Sequence, residues 1–140
     1  MRFSRLQFIV SLSLFFVLFY NTTFFLKVSA IYPISLENSG FLISVAIVLT
    51  CVIAILLLVV TNRYTLKPIA IVLLISSSLT SYFMQTYNVI LDETMIQNTL
   101  ETNFNESMDL LTIKLLVYLI VLGLIPAWVV YKIRIEYKSV

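Results

Sequence analysis

The sequence predicts an all-α membrane protein: four transmembrane helices, with an amphipathic surface helix between the third and the fourth. Three observations predict it. Hydrophobic residues make up 61% of the 140 and charged residues only 11%, with a mean hydropathy of +1.04; a soluble domain cannot hide that much apolar surface. The apolar residues fall into four runs, each close to the ~20 residues a spanning helix needs. One long polar stretch, residues 92–109, interrupts them; it holds five of the seven acidic residues and no Lys or Arg.

The first run, residues 6–25, follows the basic pair Arg2 and Arg5. It reads either as a cleaved signal peptide, with Val28-Ser29-Ala30 as the cleavage site, or as a first span. Its length exceeds the roughly 7–15 residues of a signal core, and further spans follow, which favours the span. Residues 27–40 read as a short loop, since Pro33, Asn38, Ser39 and Gly40 are turn formers. Residues 41–60 form the second span. Residues 61–68 are a tight connector carrying Arg63 and Lys67, and Pro68 suits the first turn of the next helix, where its missing N–H costs nothing. The third span, residues 69–89, carries Ser76, Ser77, Ser78, Thr80 and Ser81, small residues that let helices approach closely in lipid. Tyr82 and Tyr87 fall where an aromatic belt is expected. The fourth span, residues 110–131, has Lys114 near its start, Gly123 and a kink-forming Pro126 within it, and Trp128 and Tyr131 at its far end.

With four spans, both termini share a side with the 61–68 connector. Seven of the nine basic residues then lie on that side: Arg2, Arg5, Arg63, Lys67, Lys132, Arg134 and Lys138. The positive-inside rule makes that side cytoplasmic and turns residues 92–109 outward, to the periplasm of a Gram-negative cell. The net charge of only +2 gives no reason to expect a nucleic-acid partner. Cys51 is the single cysteine and there is no histidine, so the chain has no internal disulfide and is poorly equipped to ligate a metal.

The polar stretch has a helical period. Ile96, Leu100 and Phe104 recur every four residues, and Asn98, Thr102 and Glu106 recur at the same spacing on the opposite face, the pattern of a helix lying flat on a membrane over about residues 92–106. Thr94 with Gln97, and Asn103 with Glu106, have capping-box spacing; the second places a break near residues 102–103. A carboxylate beside an amide and a hydroxyl can hold an ammonium head group, with Glu106 supplying charge and Asn98 and Thr102 hydrogen bonds. The same three residues also fit a merely solvated helix face, and spacing alone favours that plainer reading. Glu93, Glu101 and Asp109 read as solvating or capping residues, and Asp92 as an N-cap. No nucleophile, metal or oxyanion site accompanies these carboxylates, so no catalytic residue is assigned.

Thr80-Ser81-Tyr82-Phe83, Thr86-Tyr87-Asn88-Val89, Asp92, Met95, Gln97-Asn98, Leu100, Thr102, Glu106 and Asp109-Leu110-Leu111 together resemble the membrane domain of the lipid A phosphoethanolamine transferases, in particular their mobile colistin-resistance branch. Asn21-Thr22-Thr23-Phe24-Phe25, Lys27, Tyr32-Pro33, Arg63-Tyr64 and Leu66-Lys67-Pro68 extend the likeness over most of the chain; Asn88 departs from it, standing where many relatives carry glycine. The resemblance implies a bacterial inner-membrane domain that anchors an enzyme and presents its lipid donor, with Asn98, Thr102 and Glu106 as substrate-binding residues. It implies phosphatidylethanolamine as donor and lipid A as acceptor. It also implies a fifth span and a periplasmic catalytic domain with a threonine nucleophile and zinc; neither falls within these 140 residues, which alone should transfer nothing. The alternative from another class is a stand-alone four-span scaffold or assembly protein. A channel or carrier is disfavoured, because no ionisable residue lies deep in a span.

Overall fold

In the computed structural model the described residues are 2–87 and 112–136. The chain is mostly helical. Helices α1 (Arg5–Tyr20), α2 (Thr22–Ile31), α3 (Leu36–Val60) and α4 (Leu66–Tyr87) are followed by α5 (Ile113–Tyr118), a π-helical segment (Leu119–Leu124) and α6 (Ile125–Lys132), the last three running on as one rod. Three helices are long and apolar enough to cross a membrane, and the bent pair α1–α2 raises the number to four if it counts as one broken span. The expected surface helix over residues 92–106 lies outside the described residues, as do both capping-box pairs within it.

Helix α1 begins at a capping box that sequence reading missed. The Ser4 hydroxyl accepts from the Gln7 N–H at 3.3 Å, and the Gln7 amide oxygen accepts from the Ser4 N–H at 3.1 Å. The run over residues 6–25, expected as the first span, is not one straight helix: it stops at Tyr20 and restarts at Thr22 with a bend of 64°. Asn21 sits at the break, its side-chain amide donating back to the Phe16 carbonyl at 3.0 Å. Asn and Thr compete for backbone partners in this way, which makes Asn21-Thr22-Thr23 a natural interruption. The expected loop over residues 27–40 is also largely helical. Helix α2 continues to Ile31, Pro33 separates the two elements, and Ser35 caps α3 by accepting from the Asn38 N–H at 3.3 Å.

Helix α3 fully buries only Leu57, with Ile53, Ala54 and Leu58 partly buried against the core; much of its remaining surface is apolar and exposed, as a lipid-facing span requires. Its hydroxyls satisfy themselves, Ser44 donating to the Phe41 carbonyl and Thr50 to the Ala46 carbonyl, both at 2.7 Å. Pro68 falls in the first turn of α4. The disturbance expected at Pro126 takes the form of the π-helical segment just before it. Proline removes one N–H and crowds the carbonyl four residues back, Leu122, and that carbonyl accepts instead from the hydroxyl of Tyr20, which also reaches the Leu74 carbonyl at 3.4 Å.

The core forms where α1, α4 and α6 meet, from Phe8, Ile9, Leu12, Phe16, Leu66, Ala70, Leu74, Ala127 and Val130, with Leu57 of α3. Helix α4 meets the last rod at small residues: Ser78 is buried against Gly123. At the basic end, two three-residue strands depart from the all-helical expectation. Segment Arg2–Ser4 (β1) pairs in parallel with Arg134–Glu136 (β2), tying the two terminal segments together. The partners are 132 residues apart, so no local pattern announces them. Beside them, the Arg5 guanidinium donates to the carbonyls of Leu58 and Thr61 at 3.3 and 2.8 Å, capping α3, and the Lys67 ammonium donates to the Tyr131 carbonyl at 3.0 Å, capping α6. Both place positive charge at the negative end of a helix dipole.

Candidate functional site

The opposite end of the bundle is polar. There α1 gives way to α2, α4 ends and α5 begins, so four helix ends lie near one another. Gln85, on the last turns of α4, is the hub. Its amide NH2 donates to the Thr22 hydroxyl at 2.8 Å and to the Ser81 hydroxyl at 3.1 Å, and its oxygen accepts from the Tyr118 hydroxyl at 2.6 Å. One side chain thus links the start of α2, the end of α4 and the end of α5.

A second link lies beside the first. The Tyr82 and Thr112 hydroxyls share a hydrogen bond of 2.6 Å, and Thr112 also accepts from the Leu115 N–H at 3.2 Å as the N-cap of α5. The Tyr82 ring meets the Tyr118 ring edge-on, centroids 5.7 Å apart. Tyr82 is 1% exposed, so it faces the interior of the bundle and not the lipid belt assigned to it from sequence. The reason is its hydroxyl, which has a protein partner in Thr112. Polar links of this kind between membrane helices contribute about 0.6 kcal/mol each on average, so their combined value is in fixing relative position.

The sequence-assigned site residues Asn98, Thr102 and Glu106 lie outside the described residues. They belong to the stretch that leaves α4 after Tyr87 and rejoins the bundle at Thr112, both at this polar end. Of the residues that carried the family resemblance, Ser81, Tyr82 and Thr22 are brought together here. Sequence reasoning missed Gln85, Tyr118 and Thr112. The available signal was Gln85 itself, an amide within a span, which needs partners from other helices.

Among the described residues no three His, Cys, Asp or Glu side chains converge. The zinc that the family resemblance implies belongs to the catalytic domain and not to this membrane part.

A family model described as phosphoethanolamine transferase EptA/EptB matches residues 40–140. The chain belongs to this family. It is 40% identical over 119 residues to phosphatidylethanolamine transferase Mcr-2 of Escherichia coli, and 39% identical over 132 residues to Mcr-1 of the same species. These alignments cover 85% and 94% of this chain but 22% and 24% of the relatives, so the chain spans about a quarter of their length. The fold agrees: the integral membrane lipooligosaccharide phosphoethanolamine transferase A (EptA) of Neisseria meningitidis superposes with a TM-score of 0.88 at 26% identity, over 99% of this chain and 26% of that one. The 140 residues thus correspond to the N-terminal membrane part of an EptA/EptB-type transferase.

Proposed function

We propose that this chain anchors a phosphoethanolamine transferase in the bacterial inner membrane and presents its lipid donor. The observation that carries the reading is the agreement with EptA along nearly the whole chain, polar end included. In this reading α1–α2, α3, α4 and the last rod are four spans, both termini are cytoplasmic, and residues 92–109 lie in the periplasm with an amphipathic helix at the membrane surface. Gln85, Tyr82 and Thr112 brace the two bundle positions between which that stretch is strung. Glu106 offers a carboxylate to the donor's ammonium, and Asn98 and Thr102 offer hydrogen bonds to its phosphate.

The whole protein would move phosphoethanolamine from phosphatidylethanolamine to lipid A. The periplasmic catalytic domain, with its threonine nucleophile and zinc, would be supplied outside these 140 residues; no chemical step is assigned to this chain. Adding an ammonium to lipid A lowers its negative charge, and with it the attraction for cationic peptides such as polymyxin and colistin. No observation favours the alternative of a stand-alone scaffold.

The test is Glu106→Ala in a full-length transferase carrying this membrane part. Lipid A modification, read by mass spectrometry, should fall while the amount of protein in the membrane stays constant. Undiminished modification would remove Glu106 from the donor site.

A further inference from the structure

A crevice of about 590 Å3 opens between α3 and α4, with Phe16 and Tyr20 of α1 also lining it. Along α4 it reaches from Ile69 to Met84, or about 22 Å of helix at 1.5 Å per residue. One leaflet of hydrocarbon is about 15 Å deep, half of a ~30 Å bilayer core, so the crevice is long enough for one leaflet's chain.

Its polarity runs along its length. At the basic end of the bundle its walls are Val60, Leu57 and Ile69; at the other end they include Asn21 and Thr80, about one turn below Gln85. Two of its polar side chains already have partners within the chain. Ser76 donates to the Val72 and Leu73 carbonyls of its own helix at 2.8 and 3.2 Å, and Asn21 donates to the Phe16 carbonyl at 3.0 Å. Most of the wall is apolar, so water gains little there, and an empty crevice would forfeit dispersion contacts along that wall. What fits is an amphiphile whose chain enters beside Met84 and Phe24 and runs past Thr80 toward the basic end, its polar part outside that mouth.

We propose that this crevice holds one acyl chain of a phospholipid drawn from the outer leaflet. It seats the tail of the donor whose head group is received beyond Gln85, and in that respect it rests on the functional reading above. Tail and head are then held by different parts of the chain: the tail by the α3–α4 walls, the head by the polar end.

The test is photolabelling of the full 140-residue chain in bilayers containing phosphatidylethanolamine with a diazirine midway along one acyl chain. Mass spectrometry should find lipid adducts on crevice residues Leu73, Ser76 and Ile53. Ser76→Trp, at an exposed position that a core packing defect does not confound, should abolish those adducts, and Thr80→Trp should do so from the other end. Leu116→Trp, at an exposed position on the last rod outside the crevice, should leave them intact. Labelling spread evenly over the outward face of α3, as at Ile47 and Val52, or unaffected by both blocking variants, overturns the proposal. A photoreactive amino acid placed at Leu73 that crosslinks to protein and not to lipid also overturns it, in favour of a second copy or another span. The same diazirine chain on phosphatidylglycerol should label the crevice equally, because the walls read the tail. That outcome upholds the tail site even if Glu106→Ala leaves transfer unchanged, whereas loss of both labels overturns the crevice and leaves the Glu106 test standing.

Discussion

Gly123 sets how closely the last rod approaches α4. A Cβ built there would stand 2.7 Å from the Ser78 hydroxyl oxygen and 3.3 Å from a methyl carbon of Leu119. Gly123→Ala must therefore push Ser78 off its 2.7 Å bond to the Ile75 carbonyl or push the helices apart. Overpacking of this kind costs about 1–3 kcal/mol. The expected result is a lower unfolding midpoint in detergent, largely restored when Ser78→Ala removes the obstructing oxygen. Tyr20 acts at the same scale. Its hydroxyl serves the Leu122 carbonyl, four residues before Pro126, so Tyr20→Phe leaves that carbonyl short of a partner in a dry interior. A loss of about 1 kcal/mol is expected from such interhelical bonds, measurable by the same melt. The triplet Ser76-Ser77-Ser78 was legible as a place for close approach. Which of the three would face inward was not, because the rotation of α4 is set by its neighbours. Ser78 meets Gly123, while Ser76 lines the crevice.

At the scale of elements, the break at Asn21 changes the first span most. Read locally, residues 6–25 are apolar enough to pass as one helix, with Ser11, Ser13, Asn21, Thr22 and Thr23 as tolerated insertions. The bend persists because both sides are held: Tyr20 reaches Leu74 and Leu122, and Thr22 accepts from Gln85. Asn21→Leu removes the side chain that competes for the Phe16 carbonyl and raises helix propensity at the break. The 64° bend should open, and spin labels placed midway along α1 and α2 should move apart; an unchanged distance would show that the Tyr20 and Thr22 anchors alone maintain the bend. The π-helical segment has a similar origin. Proline made a disturbance predictable, but its form depends on a carbonyl partner supplied from α1.

For the whole molecule, the basic residues are both a topology signal and structural parts. Arg5 and Lys67 cap helix ends at one pole, and Lys132 lies 4.0 Å over the Trp128 ring there. The opposite pole carries the Gln85 and Tyr82 links. The proposed orientation makes a direct prediction. In a Cys51→Ser background, Lys27→Cys should react with a membrane-impermeant maleimide added to the outside of spheroplasts, and Arg63→Cys should react only after lysis. The reverse pattern would put residues 92–109 in the cytoplasm and end the donor-presenting reading.

Sequence alone determined the solvent. Hydropathy is a local sum, and in hydrocarbon a backbone must satisfy its own hydrogen bonds, so long apolar runs become helices whatever surrounds them. It also carried the family, because the residues of the polar approach to the stretch after α4 are specific enough to recognise. Tertiary structure alone decided how the rods meet: the break after Tyr20, the inward turn of Tyr82, the Gln85 hub, the strand pair of the two terminal segments and the crevice beside α4. Those features rest on small-residue packing and on hydrogen bonds between positions as far apart as Tyr20 and Leu122, and in lipid no difference in hydropathy tells one helix face from another.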